Sequence, residues 1–500
     1  MGIVIVGLGP SDGRLITREA WQTAVSSKTL YVRTEWHPVI DELRQHTEIV
    51  GFDHLYESQD DFTAVYNQIV TMLLDLALEH EQVIYAVPGH PFVGESTVPA
   101  IIEQAQEKGI GVNIVEGLSF VEPTITAINN YLLAHNQKEW LIDGMTNLQI
   151  CDALDLLMQN YPQVNADAFL LIGQVYSRSV AGELKLSLMA IFPDEHPVFL
   201  VHHASAADAQ IEAVPLYEFD HSDQIDHLSS LYVPPLPEAS DLTALAEAVA
   251  VLRGPNGCPW DQEQTPLTMR DGLVEEVSEV LEALDSGDPQ ALCEELGDVL
   301  LHVLMQTQMA SEVGDFTLSD VIAGIVSKLI RRHPHVWGDV DAADSEQVVK
   351  NWEAIKLEEK EEQNRPLSVL DNIPKTLPAL AQSHKIQKRV RKAGFDWATI
   401  DGVYDKLQEE VRELQTAETP EQQMMELGDI LFVVVNLGKW LKLDPESALR
   451  EANLRFSRRF RLAEQLAQER QLEMNQMSEA ALLEIWLEAK AQLAEVEAGK

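Results

Sequence analysis

The sequence predicts a multidomain protein, an N-terminal α/β domain followed by two all-α helical-bundle units. Three observations carry this. Five hundred residues exceed a single hydrophobic core, which stops growing near about 250–300 residues. Up to about Asp220 the apolar segments are short and β-branched, whereas beyond Asp241 long amphipathic patterns of Ala, Leu, Glu, Gln and Lys take over. The second half also repeats itself, which a duplicated helical unit explains most economically.

In chain order, GIVIVG, TLYV, VIYAVPG, GVNIVEG, AFLLIGQVY and PVFLVHHA read as strands separated by helical stretches, hence a largely parallel sheet. GLGPSDG (Gly7 to Gly13) is a glycine turn between the first strand and the helix-like LITREAWQTAV. LYVPPLPEASD (Leu231 to Asp241) holds three prolines and ends on the capping residues Ser240 and Asp241. The main boundary is placed there: an α/β domain over 1–225 and a linker over 226–240. EEVSE (Glu275 to Glu279) and ELGD (Glu295 to Asp298) return as EEVRE (Glu409 to Glu413) and ELGD (Glu426 to Asp429), at offsets of 134 and 131 residues. The helical units then span 241–364 and 365–500, the second opening near RPLSVLDNIPKTLP. A period this long marks two domains rather than a solenoid.

Composition narrows the function. Asp and Glu number 81 against 36 Lys and Arg, a net charge of −45 that repels nucleic-acid phosphates and anionic membrane surfaces. Neither nucleic acid nor membrane is expected as a partner. Runs such as ILFVVVNLG (Ile430 to Gly438) fall short of the roughly 18 residues that a membrane span needs. Three widely spaced cysteines, Cys151, Cys258 and Cys293, form no disulfide framework and fit a reducing cytoplasm.

On a helical wheel Val277, Val280, Leu281 and Leu284 form an apolar stripe, flanked by Glu276 and Glu279; Glu410 and Glu413 flank Val411 and Leu414 in the same way. The helix Leu292 to Met305 is apolar over most of its circumference and is expected to be largely buried, yet it carries Glu295 and Asp298. Glu426 and Asp429 repeat the pattern in a still more apolar setting. Buried carboxylates of like sign at i, i+3 need a positive partner. Four oxygen donors from two helices suit a hard dication, and Mg²⁺ is usually held by a few carboxylates plus substrate phosphates. A di-iron bundle needs Glu-x-x-His, which neither copy has. His302 follows Asp298 by four residues, where the second copy has Val433. An isolated EExxE is commonly a solvated helix face; duplication beside an acidic pair on an apolar helix argues otherwise. Basic residues gather at Lys328, Arg331, Arg332 and His333, at Lys385 to Lys392, and at Arg455, Arg458, Arg459 and Arg461, as a polyphosphate clamp requires.

From Asp241 to Lys500 the chain resembles the MazG nucleoside triphosphate pyrophosphohydrolases in both copies. The resemblance rests on NGCPWDQEQT (Asn256 to Thr265), EEVSE with ELGD, KLIRRHPHVWG (Lys328 to Gly338), HKIQKRVRKAGFDW (His384 to Trp397) and EEVRE with ELGD. It implies Mg²⁺-dependent cleavage between the α and β phosphates, yielding nucleoside monophosphate and pyrophosphate, and a homodimer formed through the bundle. In the second unit it implies Glu410, Glu413, Glu426 and Asp429 as metal ligands. Lys406, Asn453, Arg455, Arg459 and Trp486 become nucleotide contacts, with Lys406 stabilising the leaving group and Glu409 or Glu410 handling the water. In the first unit it implies Glu276, Glu279, Glu295 and Asp298 as ligands, and Lys328, Arg331 and Arg332 as phosphate contacts. Removal of noncanonical or surplus nucleotides is the implied setting.

The N-terminal loops GLGPSDG and AVPGHPFVGEST (Ala86 to Thr97), with GLSFVEPT (Gly117 to Thr124), resemble the tetrapyrrole methylases. That family is two-lobed and binds S-adenosylmethionine between its lobes, which implies Gly7, Gly9, Pro10, Gly89, His90 and Ser119 as cofactor contacts. GPSDG replaces the common GPG, and Gly-His-Pro replaces Gly-Asp-Pro. These departures favour a cofactor-sized cleft without favouring methyl transfer to a tetrapyrrole. The whole arrangement resembles the YabN-type fusion proteins. The alternative reading is an S-adenosylmethionine-dependent methyltransferase, or a metabolite-sensing module, with a regulatory helical bundle.

Overall fold

Two five-stranded sheets build the α/β half of the computed structural model, which describes residues 2–58, 62–142, 144, 147–204, 209–361, 368–371 and 373–498. The first contains β1 (Gly2–Gly7), β2 (Thr29–Val32), β3 (Glu48–Gly51), β4 (Val83–Val87) and β5 (Gly111–Val115), ordered β3-β2-β4-β1-β5 and parallel throughout. Its central strands are apolar runs because helices cover both faces: Ile3, Ile5 and Tyr85 pack to one side, Val4, Val6 and Ala86 to the other.

The second sheet contains β6 (Leu148–Asp152), β7 (Phe169–Gly173), β8 (Pro197–His202), β9 (Gln210–Pro215) and β10 (Ser229–Val233), ordered β6-β7-β10-β8-β9. Only β6 and β7 run parallel, so the expectation of a largely parallel sheet holds for the first lobe alone. The linker expected over 226–240 is corrected as well. β10 lies inside it, buried at all five positions. The prolines that suggested a linker begin at Pro234, just beyond the strand, where the ladder no longer needs their N–H groups.

Helices follow from Leu242. Asp241 caps the first, Leu242–Arg253, by accepting from the Thr243 amide at 2.8 Å. Arg270–Ser286 ends on Gly287 in the left-handed region (φ 69°), and Asp288 caps Pro289–Val313. Leu318–Arg332, Ser345–Glu361 and Ala379–Lys392 come next. Then come Ile400–Thr416, Pro420–Trp440 with a Thr419/Gln422 capping box, Pro445–Glu469 and Glu479–Ala498. The chain divides into two compact units, Met1–Ile325 and Val326–Lys500. The boundary expected between 364 and 365 lies outside the described residues.

The expected burial of the carboxylate-bearing helices is not found in the single chain. Leu284 is 55% exposed, Leu296 51% and Leu431 48%, and burial on Pro289–Val313 is confined to its later turns, including His302, Leu304 and Met305. Amphipathicity says which face wants cover; it does not say that this chain supplies the cover.

Candidate active site

Adjacent helices bring the acids together. Glu276, on Arg270–Ser286, and Glu295 and Asp298, on Pro289–Val313, each present an oxygen within 4.8 Å of the others. Glu410, on Ile400–Thr416, joins Glu426 and Asp429, on Pro420–Trp440, in the same way. The i, i+3 spacing puts each acidic pair on one face. Glu279 and Glu413 stand outside these closest sets but act on them. Burial, followed by hydrogen bonding and repulsion from Glu279, pushes the Glu276 carboxyl above its ordinary range, with Asp298 and Glu295 adding to it. Burial, then Glu413, Glu410 and Asp429, does the same to Glu426. Burial, then Glu279, Glu294 and Asp298, raises Glu295. Hard oxygen donors that repel one another fit a divalent cation.

The second set already has a cation. Lys406 Nζ lies 2.7 Å from Glu410 Oε1 and 2.7 Å from Glu409 Oε1, and these two acids hold the ammonium firmly in its charged form. Glu410 is 4% exposed, whereas the Glu409 side chain is 54% exposed and outside the set. The other expected phosphate contacts are scattered or engaged. Arg331 and Arg332 both bind Glu359 at 2.6 Å, and Arg332 also lies 5.2 Å over the Trp352 ring. Lys328 and Asn453 are exposed. Arg455 faces Glu451 at 3.6 Å, Arg459 is half-buried on the same helix, and Trp486 packs against Phe456 at 5.1 Å.

In the α/β half the carboxyl ends of strands from both sheets surround a cavity of about 750 Å³, lined by Pro10, Arg33, Gly89, Gln174 and His203 among others. That is cofactor size and the usual place for a ligand in an open α/β fold. Gly9 (φ 78°) exchanges backbone hydrogen bonds of 3.2 and 2.8 Å with Gly89, tying the two glycine loops together, while Gly7 and Gly9 are not among the residues that line the cavity. Of the six expected contacts, Pro10 and Gly89 line the cavity. His90 accepts from the Phe92 amide at 3.1 Å, and buried Ser119 donates to Glu122 at 2.6 Å, so both serve their own loops.

Several lining groups escaped the motif reading. Arg33 pairs with Glu95 at 2.7 Å, and the Glu95 side chain is 1% exposed. Burial opposes the Arg33 charge most strongly, but Glu95 together with Tyr56, Tyr85 and Tyr66 more than offsets it. Burial lowers His37 to about 4, so the ring stays neutral and donates from Nε2 to the Gly9 carbonyl at 2.9 Å. Gln174 (φ 63°) and His203 (φ 52°) adopt the left-handed region without being glycine, a strain that collects at binding sites. His203 also meets Asp226 at 2.6 Å. Position would have found Arg33, Gln174 and His203, since each directly follows a strand.

A two-sheet α/β domain with a ligand-sized cavity, followed by helices that focus paired carboxylates, defines a class: an α/β domain fused to a helical domain built around clustered acids. Residues 2–220 match the tetrapyrrole (corrin/porphyrin) methylases, and residues 264–337 match the MazG nucleotide pyrophosphohydrolase domain. The chain is 39% identical over 497 residues to the uncharacterized protein YabN of Bacillus subtilis, covering 98% of each. It is 42% identical over 246 residues to the nucleoside triphosphate pyrophosphohydrolase/pyrophosphatase MazG of Thermotoga maritima, covering 49% of this chain and 94% of that one. It is 44% identical over 247 residues to the nucleoside triphosphate pyrophosphohydrolase of Escherichia coli K12, covering 48% and 94%. The chain therefore belongs to the MazG nucleotide pyrophosphohydrolase family, in the two-part form that YabN shares, and is a hydrolase.

Proposed function

We propose that the helical half cleaves nucleoside triphosphates between the α and β phosphates, giving nucleoside monophosphate and pyrophosphate. The observation that supports this best is the second set of acids, Glu410, Glu426 and Asp429, within 4.8 Å of one another and with Lys406 already against them. Those three, with Glu413 beside them, would hold Mg²⁺; Glu276, Glu295 and Asp298, with Glu279, are the matching donors in the first unit. The bound ion supplies neutralising charge at the phosphoryl oxygens and acidifies water. Glu409, exposed and outside the ligand set, takes the water proton. Attack at the α phosphorus breaks its bond to the bridging oxygen, which leaves with pyrophosphate, and Lys406 moves from the glutamates to stabilise that charge. Asn453, Arg455 and Arg459 bind the remaining phosphates, and Trp486 offers a stacking face indifferent to base identity, as removal of noncanonical nucleotides needs. For Lys328, Arg331 and Arg332 to do the same in the first unit, the arginines must leave Glu359.

The exposed apolar faces of the acid-bearing helices support a second copy as their cover, hence a homodimer. We place the domain boundary after β10 and the start of the helical units at Leu242. Three free thiols, Cys293 exposed, suit the cytoplasm. Among the described residues no helix is long and apolar enough to cross a membrane.

Product analysis tests the central reading. The full chain with Mg²⁺ and a panel of common and damaged nucleotides is expected to release monophosphate and pyrophosphate in equal amounts; orthophosphate as the product overturns it. The cavity supports a second reading, S-adenosylmethionine binding by the α/β half, which serves either methyl transfer or metabolite sensing. Calorimetry on the full chain is expected to give saturable heat with S-adenosylmethionine, and a flat titration overturns that part alone.

A further inference from the structure

We propose that Arg33 and Asp152 are the two poles of a zwitterion site, so that the cavity of the α/β half takes a molecule carrying an α-amino acid group, its carboxylate on Arg33 and its ammonium on Asp152. This rests on the reading of that cavity as a ligand site. Both side chains line it, one from each lobe. Arg33 directly follows β2 in the first sheet, its amide pinned to the Ala86 carbonyl at 3.0 Å, and Asp152 ends β6 in the second. Among the described residues only Nη1 of the guanidinium is engaged, by Glu95 at 2.7 Å. The edge formed by Nε and Nη2 is left open, and its two parallel N–H groups match the two oxygens of a carboxylate.

Asp152 is the opposite case. Its Oδ1 accepts from the Leu154 amide at 2.8 Å and caps the short helix that follows, but no cation stands beside it among the described residues. Burial pushes its carboxyl above the ordinary range against the pull of the Leu154 amide, and Asp155 adds to the rise. A carboxylate held in this way is costly unless a positive charge arrives to meet it. Tyr66 feels both poles at once: burial raises its hydroxyl most, Arg33 pulls it back, and Glu95 and Asp152 raise it again. The charges of the two lobes therefore lie within reach of one side chain. A phosphate would bring only negative charge to a space that already holds Glu95 and Asp152, whereas a zwitterion brings an ammonium for one pole with the carboxylate for the other. The rim selects the rest of the molecule. Trp36 is 79% exposed and Phe92 56%, and both line the same cavity from separate loops, so the group beyond the α-carbon is flat or apolar. Two sources carry this chemistry, S-adenosylmethionine through its methionyl end and a free aromatic amino acid.

Calorimetry on the full chain tests the site and separates the sources. The probes are S-adenosylhomocysteine against 5′-methylthioadenosine, which keeps the nucleoside without the amino acid group, and L-tryptophan against tryptamine, which lacks the carboxylate. In at least one pair the zwitterion is expected to bind saturably and its truncated partner at least about tenfold more weakly, since charge-assisted hydrogen bonds are lost. Asp152→Asn keeps the helix cap, and Arg33→Lys keeps a charge for Glu95 while removing the fork; each should shrink the gap of the S-adenosylhomocysteine pair to a fewfold. Should either variant misfold, the comparison on the unaltered chain still decides. Binding of 5′-methylthioadenosine as tight as that of S-adenosylhomocysteine overturns the inference and leaves the S-adenosylmethionine reading standing, and so does a gap undiminished in both variants. L-Tryptophan bound where S-adenosylhomocysteine is not supports the inference and overturns that reading. Heat from none of the four overturns both.

Discussion

Changing Glu295 and Glu426 to Gln, and Asp298 and Asp429 to Asn, in one chain is expected to lower pyrophosphate release by roughly 100- to 1,000-fold. Metal-borne charge stabilisation is worth several kcal/mol, at about 1.4 kcal/mol per tenfold in rate. The helices should persist. Each set is a cluster of mutually repelling acids whose Glu295 and Glu426 carboxyls are pushed up, so neutral amides relieve strain that the metal-free fold carries. Steady-state assay, circular dichroism and metal-free melting together check this: activity falls, helicity holds and the melting temperature does not drop. Wild-type turnover in the fourfold variant would show that catalysis lies elsewhere. The corresponding pair of substitutions in each unit alone assigns the turnover to one set or shares it between them.

Arg33→Ala is expected to destabilise the α/β half by about 3–5 kcal/mol, the usual consequence of leaving one partner of a buried ion pair alone. Glu95 has almost no solvent to turn to, and its other partners, the Thr97 amide at 2.9 Å and hydroxyl at 2.6 Å, cannot neutralise it. Adding Glu95→Gln removes the stranded charge and should restore part of the loss. Denaturant unfolding of the three variants measures this. An unchanged midpoint for Arg33→Ala would mean that the pair is solvated and that the cavity wall it braces is looser than the geometry shows.

Much of the fold was legible because it rests on local periodicity. β1, β4, β7 and β8 are apolar runs with glycine or histidine punctuation, and the repeated EExxE and ExxD motifs announce helix pairs whatever the tertiary context. Convergence of Glu410 with Glu426 and Asp429 followed from the same spacing. What resisted was everything that depends on partners distant in sequence. SSLYV at β10 is short and leans on prolines, so nothing local distinguishes it from a linker; only its neighbours in the sheet do. Exposure of Leu284, Leu296 and Leu431 depends on what covers them, which periodicity does not name. Arg33, Gln174 and His203 belong to no spaced motif. They matter because three separate strands end at one cavity, and Gln174 and His203 are further marked by a backbone conformation that residue type does not reveal.

The position of β10 bears on synthesis. It enters last between β7 and β8, so as the polypeptide leaves the ribosome both of those strands wait with open hydrogen-bonding edges until Val233 has emerged, just before the first helix of the hydrolase half. A fragment cut at 225 would keep that gap for good and offer it to any passing strand, whereas one carried through Pro235 closes it.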